Sequence, residues 1–395
     1  MKPLASYRGT AFGLALIALA YAGASTAQAM PTFAKAYGVK CSTCHTVVPG
    51  LNAYGRYVQR TGYSSLNRDV LKTVVPIWFN EQVVGDSTAG VSDISATHTT
   101  SFGNLAVHGA GYLAPDWTYH VQQWLLQSDS GGGTLDTAWV TYNNLFHRDG
   151  HLFIGKIEAP APSPFSQWTD LSVFVTPEIT VGEHAYQLDG NRWGSRFAYT
   201  RPGIDAEVGW LLSPNGFLSG SDFDVTPGTD KTFQWKLADA HADQPLEFGA
   251  YGSAGSFRVS TGDVDRYTSI AAYLERDPQP NGIPGAFGIY QIANDSNPGL
   301  DANGLQLPAA RSQAVTGELY ESMFNRSAIL GFRYEYTNDG LGNLAHYQNI
   351  DFAFNIPRYR YLHGYVEAGL GANSTAPNSG PTWRWLLWWT TPVAQ

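Results

Sequence analysis

Cys41-Ser42-Thr43-Cys44-His45 is the run in this 395-residue chain whose residue types and spacing can do chemistry. Cys-x-x-Cys-His is the attachment signature of a c-type haem. Two thiols at that spacing can add across the two vinyl groups of one porphyrin, and the His that follows can bind the iron from the proximal side. The run therefore predicts one covalent haem c (heme c) held by Cys41, Cys44 and His45. The chain has 2 cysteines, both in this run. No thiol remains for a structural disulfide, and a zinc or iron–sulfur centre built from cysteine alone is excluded. A thioredoxin-like redox pair expects a βαβ context, and no such pattern surrounds these residues.

The residues leave the sixth iron position open. Of the 3 methionines, Met30 and Met323 remain after the export signal described below, and a Met ligand raises the potential relative to two histidines. Histidines on the polar phase of alternating runs are further candidates. His108 shares its phase with Asn104 and Ala106, His120 with Thr118 and Gln122, and His363 with Tyr365 and Glu367. For each of them a solvated histidine is the plainer reading. Tyr54, Tyr57 and water complete the candidates.

The compartment is the second signal. Lys2 and Arg8 precede an apolar stretch from Ala11 to Ala22, and Ala27-Gln28-Ala29 is a small-x-small cleavage site. This predicts a secretory signal peptide over residues 1–29, with Met30 as the first mature residue. Covalent haem attachment in bacteria takes place outside the cytoplasm, so export and the haem motif require each other. The formal net charge is -9, and two positive charges leave with the signal. Such a chain is a poor partner for nucleic acid or an anionic lipid surface and is compatible with small cations. No nucleophile–base pair, P-loop or His-Glu-x-x-His site is present.

Residues 30–70 form the expected haem segment, with short helices at Thr32 to Val39 and Leu51 to Arg60 and with Gly62 ending the second. That is about half the length that usually encloses a haem in its own core, so part of the pocket is expected from elsewhere in the chain. From residue 71 to 395 the pattern is short alternating runs broken by Gly, Pro, Asn and Asp. In Ala328 to Thr337, Leu330, Phe332 and Tyr334 alternate with Arg333 and Glu335. In Tyr347 to Asn355, Ile350, Phe352 and Phe354 alternate with Asn349 and Asp351. In Tyr361 to Gly371, Val366, Ala368 and Leu370 alternate with His363, Tyr365 and Glu367. In Thr382 to Thr391, Trp383, Trp385, Leu387 and Trp389 share one face and Arg384 takes the other.

Such runs are expected near 73–84, 101–112, 117–127, 134–145, 150–158, 192–201, 204–213, 230–238, 246–255, 266–276, 284–292, 312–320, 328–338, 346–355, 361–371 and 382–391. The count is about 16, each about the 9–11 residues that cross a bilayer when tilted. The expectation is an all-β, antiparallel outer-membrane barrel with a small helical plug and both chain ends on the periplasmic side. A β-sandwich gives the same alternation but points its apolar face into a core; Trp and Tyr near strand ends favour the barrel. Ala159 to Gly190 is the longest gap. Its Pro160-to-Phe165 start cannot join a sheet interior, and the gap caps the mouth, enters the lumen or is an ordinary surface loop.

Pro31-Thr32-Phe33-Ala34, Tyr37-Gly38, the Cys41-to-His45 motif, Pro49, Leu51-Asn52, Gly55 and Gly62-Tyr63 together resemble the N-terminus of the fused monohaem cytochrome–porins. These are outer-membrane proteins of bacteria that use extracellular iron. The resemblance covers residues 30–63; beyond them the likeness is one of architecture. It implies oxidation of extracellular Fe(II) or another reduced metal donor, with the electron passed to a periplasmic c-type cytochrome or copper protein. Two features depart from the family: the chain is somewhat short, and Trp389 is followed by Thr390-Thr391-Pro392-Val393-Ala394-Gln395 where such barrels end on an aromatic residue.

The leading reading is thus an electron-transfer cytochrome–porin in outer-membrane lipid, whose plug borrows its pocket from the lumen wall. Glu335, Asp351 and Glu367 could attract metal cations there, although balancing Arg333 and Arg384 is the plainer role. An outer-membrane channel or sensor for small solutes, gated by its haem, is a second reading. A soluble secreted haem-linked β-sandwich enzyme is a third.

Overall fold

Strands that alternate apolar and polar residues have one greasy face and one wet face, and a sheet of them can hide its edges by closing on itself. That is what the chain does. The computed structural model describes residues 31–47, 50–71, 77–88, 97–127, 133, 135–158, 179–186, 191–213, 230–279, 282–324, 327–355, 362–373 and 379–392. The expected signal segment, Met30 and the Pro160-to-Phe165 run lie outside these residues.

The first half of the barrel is β3 (Ile77–Thr88), β4 (Thr97–Ala114), β5 (Trp117–Gln127), β6 (Leu135–Leu145), β7 (Gly150–Ile157), β10 (Arg192–Arg201), β11 (Ile204–Ser213) and β12 (Asp230–Asp239). The second half is β13 (Leu246–Arg258), β14 (Val264–Arg276), β15 (Gly285–Asp295), β16 (Ala310–Met323), β17 (Ala328–Asn338), β18 (Leu344–Asn355), β19 (Leu362–Asn373) and β20 (Ser379–Pro392). Each strand pairs antiparallel with the next, and β20 pairs with β3 to close the ring. β8 (Ile179–Val181) and β9 (His184–Tyr186) form a separate hairpin between β7 and β10.

The expected strands at 117–127, 192–201, 204–213 and 328–338 coincide with β5, β10, β11 and β17. Of the first, expected at 73–84, residues 73–76 lie outside the described residues, and the strand continues past 84 to Thr88. The open question at the C-terminus is also resolved. Thr390 to Pro392 extend β20 and pair with Trp78 to Asn80, so the last strand continues past Trp389 as far as Pro392.

The faces settle barrel against sandwich. Leu237, Ile270, Leu319, Leu330, Phe332, Ile350 and Leu370 are exposed on the outside, while Lys236, Glu247, Ser269, Glu318, Arg333, Asn349 and Glu367 are buried on the inside. A sandwich would invert that order. Exposed aromatics sit toward both rims, with Trp117 and Phe248 at the short-turn end and Trp210, Phe233 and Trp383 at the other, as interfacial girdles do. A closed barrel with an apolar belt lies in the outer membrane. Among the described residues no helix is long and apolar enough to cross a membrane; the strands cross. β3 starts and β20 ends at the short-turn, periplasmic end.

The N-terminal segment fills that end. It comprises α1 (Pro31–Tyr37), a 3-10 turn at Cys41–Thr43, β1 (His45–Val47) paired with β2 (Gly50–Leu51), α2 (Ala53–Arg60) and α3 (Arg68–Leu71). α1 lies against β3 and β20, β1 against β18, and α3 against β4. Phe33, Val58 and Tyr63 join Trp78, Ala110, Trp139 and Phe153 of the wall in one buried cluster. The Tyr63 ring stacks on Trp139 at 5.6 Å and meets Phe33 edge-on at 5.5 Å. Each such pair adds about 0.5–1.5 kcal/mol beyond area burial. Gly62 ends α2 at φ 53°, and Tyr63 follows at φ 65°. The second value is unusual for a residue with a side chain, and the buried ring contacts hold it there.

Candidate functional site

α2 works on two faces. Residues three and four apart share a face of a helix, so Ala53, Arg56 and Arg60 project together toward the wall. Arg56 Nη1 donates to Leu51 O, to Glu275 Oε1 at 2.8 Å and to Asp277 Oδ1 at 2.9 Å, and its Nε lies 3.4 Å from Glu247 Oε2. Arg60 Nη1 donates to Glu247 Oε2 at 2.7 Å. The Ala53 amide donates to Asp277 Oδ2 at 2.8 Å. On the wall, Lys236 Nζ pairs with Asp205 at 2.8 Å and reaches Glu247 at 3.5 Å. Burial opposes the charge on Arg56, but Glu275, Asp277 and Glu247 more than offset it and hold the guanidinium firmly protonated. Glu247 and Glu275 stand directly opposite each other on β13 and β14, an arrangement that destabilises a sheet unless a cation intervenes. Arg56 is that cation.

The other face of α2 turns to the chemistry. Tyr54, Gly55, Val58 and Gln59 line a pocket with Phe33, Ala34, Tyr37, Val39, Lys40, Cys41, Thr43, Cys44, His45, Leu51, Tyr63 and Leu66. It holds ≈ 810 Å³ of empty space, its open mouth included. Cys41 and Cys44 are not bridged to each other; Cys41 and His45 are buried. Burial pushes the Cys44 thiol up to about 11, the reverse of the lowered value of a thioredoxin-like pair.

Asn52 and Gly55 set the position of the motif. The Asn52 amide donates to Cys44 O at 3.0 Å, its Nδ2 donates to Ser42 O and Thr43 O at 3.2 Å, and its Oδ1 caps α2 by accepting from the Gly55 amide at 3.0 Å. A methyl group at Gly55 would stand 2.0 Å from Cys44 O, so only glycine lets the helix approach the motif this closely. Sequence reading noted both residues without a role; an Asn before a helix is the cap signal that could have supplied one.

Two thiols and an imidazole facing a mostly apolar, aromatic-walled pocket are a donor set that fits a c-type haem. The pocket departs from expectation in one respect. Among the described residues all of its lining comes from the plug, not partly from the lumen wall. α1, α2 and the Tyr63 turn wrap the motif, and the wall contributes by packing behind them.

The sixth-position candidates separate in space. His363 is fully buried and within electrostatic reach of His45. Its Nδ1 bonds Asn355 Oδ1 at 2.8 Å, and its buried Nε2 has no hydrogen-bond partner among the described residues. His108 and His120 lie elsewhere, in an aromatic layer of the wall. His108 stacks on Trp78 at 5.1 Å and its Nε2 is 2.7 Å from Asn80 Nδ2. His120 packs between Tyr63 and Trp139. None of the three histidines lines the pocket, and of them His363 is the one within electrostatic reach of His45. Met323 falls on the outward phase of β16 with Val315 and Leu319, away from the lumen, because a strand turns alternate side chains to opposite faces. Tyr54 lines the pocket and Tyr57 does not. Among the lumen acids, Glu335 bonds Arg333, Glu367 accepts from Tyr347 Oη at 2.8 Å and stands opposite Arg384 in register, and Asp351 is buried.

No protein-family model matches the sequence, and no curated protein matches it by sequence. Solved structures do share the fold. The anion-selective porin from Comamonas acidovorans superposes with a TM-score of 0.55 at 11% identity, over 80% of this chain and 98% of that one. OmpF of Salmonella typhi, in complex with daunomycin, gives 0.55 at 11% identity over 80% and 96%. The outer-membrane channel DcaP of Acinetobacter baumannii gives 0.52 at 11% identity over 80% and 96%. The chain has the porin-type, closed 16-strand barrel fold.

Proposed function

We propose that this protein is an outer-membrane cytochrome–porin that moves electrons inward across the membrane, from extracellular Fe(II) to a periplasmic c-type cytochrome or copper protein. The observation that carries the reading is the aromatic-walled pocket presenting Cys41, Cys44 and His45 on a plug at the periplasmic end of a barrel. Cys41 and Cys44 would supply the thioether sulfurs and His45 the proximal ligand. A haem bound there would supply one-electron redox chemistry at iron. Phe33, Tyr37, Tyr54, Val58 and Tyr63 exclude water from the pocket. Arg56 and Arg60 keep the plug seated, so the lumen admits a cation from outside while the plug separates it from the periplasm. The buried Glu335, Asp351 and Glu367 give the wall of that lumen acidic character.

His363 is the proposed sixth ligand. A metal-bound His commonly has its other ring nitrogen oriented by a second group, and Asn355 already orients His363. His363→Gln is expected to change the oxidised visible spectrum and the low-spin EPR signal, whereas His108→Gln leaves both unchanged. An unaltered spectrum in His363→Gln assigns the position to another group.

The function is tested by adding Fe(II) anaerobically to the oxidised protein in detergent, with dithionite as the full-reduction control. Growth of the reduced c-type bands with Fe(II) is the expected result. Reduction by dithionite but not by Fe(II) rejects the iron donor while leaving the cytochrome intact.

A further inference from the structure

The hairpin of β8 and β9 lies against the inner wall, far from the plug. Ile179 and Val181 are buried with Val259, Tyr267, Ala293 and Ala314. Its turn is pinned on both sides. Glu183 accepts from the Ser260 amide at 2.7 Å, from Ser260 Oγ at 2.6 Å and from the Leu300 amide at 3.1 Å, and its own amide donates to Pro298 O at 2.8 Å. Gly182, at φ 61°, lets Pro298 approach where a methyl group would stand 2.2 Å from its carbonyl oxygen. This places His184, the residue after Glu183, over the wall.

There His184 Nδ1 is 2.6 Å from Asp295 Oδ1 and 3.8 Å from Asp265 Oδ2. Tyr267 pairs with Asp295 across β14 and β15, which makes Asp265 the diagonal, same-face neighbour of Asp295. One ligand atom from each of the three residues lies within 4.8 Å of the others, and all three are buried. Asp265 Oδ1 accepts from Ser296 Oγ at 3.1 Å and from the Asn297 amide at 2.7 Å, which orients the carboxylate. Its Oδ2 is buried and faces the cluster. Arg192 is within electrostatic reach of His184, and its Nη1 reaches Thr232 Oγ1 at 3.4 Å. Two carboxylates this close, away from water, repel each other unless a proton or a cation joins them. One imidazole and two carboxylates are a nitrogen–oxygen set suited to Zn(II), Fe(II) or Mn(II).

We propose that His184, Asp265 and Asp295 bind a divalent first-row transition cation that fastens the hairpin to the inner wall at the extracellular end of the lumen. Asp265 lies one residue inside the start of β14 and Glu275, which holds the plug, one residue before its end; at about 3.4 Å per residue they are separated by about 34 Å of strand. The cation therefore locks the hairpin and does not touch the plug, and the site is independent of any haem.

The test is titration of the chelator-washed protein in detergent with Mn(II), following the free-ion EPR signal, and then competition with Zn(II). One bound equivalent, displaced by Zn(II), is expected. His184→Gln and Asp295→Asn should each weaken binding by roughly tenfold or more, while Asp301→Asn, an exposed acid on the connection that follows β15, should leave it unchanged. Heat-modifiable migration identifies variants that fold; if one does not, the wild-type titration and the other variant decide. Absence of stoichiometric binding in the wild type, or wild-type binding in the folded variants, overturns the site.

Discussion

Arg56→Ala is expected to unseat the plug while leaving the barrel intact. The guanidinium bridges Glu275, Asp277 and Glu247 in the lumen wall, and its removal leaves Glu247 and Glu275 buried and opposed with less compensation. Breaking a buried ion pair from one side costs about 3–5 kcal/mol, of the order of the whole stability of a small domain. The sixteen-strand ladder does not depend on Arg56, so heat-modifiable migration should persist. Limited proteolysis should cut the N-terminal segment of the variant, and proteoliposomes should swell in small sugars where the wild type does not. A variant that stays protease-resistant and sugar-tight would show that the aromatic contacts of Phe33 and Tyr63 hold the plug without the ion network.

The second large effect is expected from Cys41→Ser combined with Cys44→Ser. These are the chain's 2 cysteines, so no other side chain can form a thioether. Haem staining of the denatured band should fall from full intensity to none, and the Fe(II)-dependent absorbance change should vanish with it. The folded barrel band should remain, because the wall pairs with the plug through Arg56, Arg60 and Ala53 on the opposite face of α2 from the thiols. Persistent staining in the double variant would reject covalent attachment at this motif.

The two predictions probe opposite faces of one eight-residue helix, and only one face was readable beforehand. The motif and the alternating runs are local: spacing of two thiols and a His, and a period of two along each strand. They carry their meaning in the residues themselves, which is why β5, β10, β11 and β17 were expected with the bounds they have. Arg56 and Arg60 had no sequence reading, because their partners lie on strands more than a hundred residues away and the register between them arises only when the ring closes. Asn52 and Gly55 were visible as residues, but their bonds to Ser42, Thr43 and Cys44 exist only after the chain turns back at β1 and β2.

His108, His120 and His363 show the same division. All three occupy the inward phase of a strand, and the alternation that identified them cannot rank them. The barrel's closure puts His363 within electrostatic reach of His45 and the other two against Trp78 and Trp139. It likewise gathers His184, Asp265 and Asp295 from segments that no periodicity connects. By itself the sequence determined the motif and the alternation that gives the clearest strands an inside and an outside, because these depend on neighbours along the chain. Which side chains meet across the lumen was decided by the tertiary structure alone, because strand order, register and the seating of the plug bring together charges and rings that are remote in sequence.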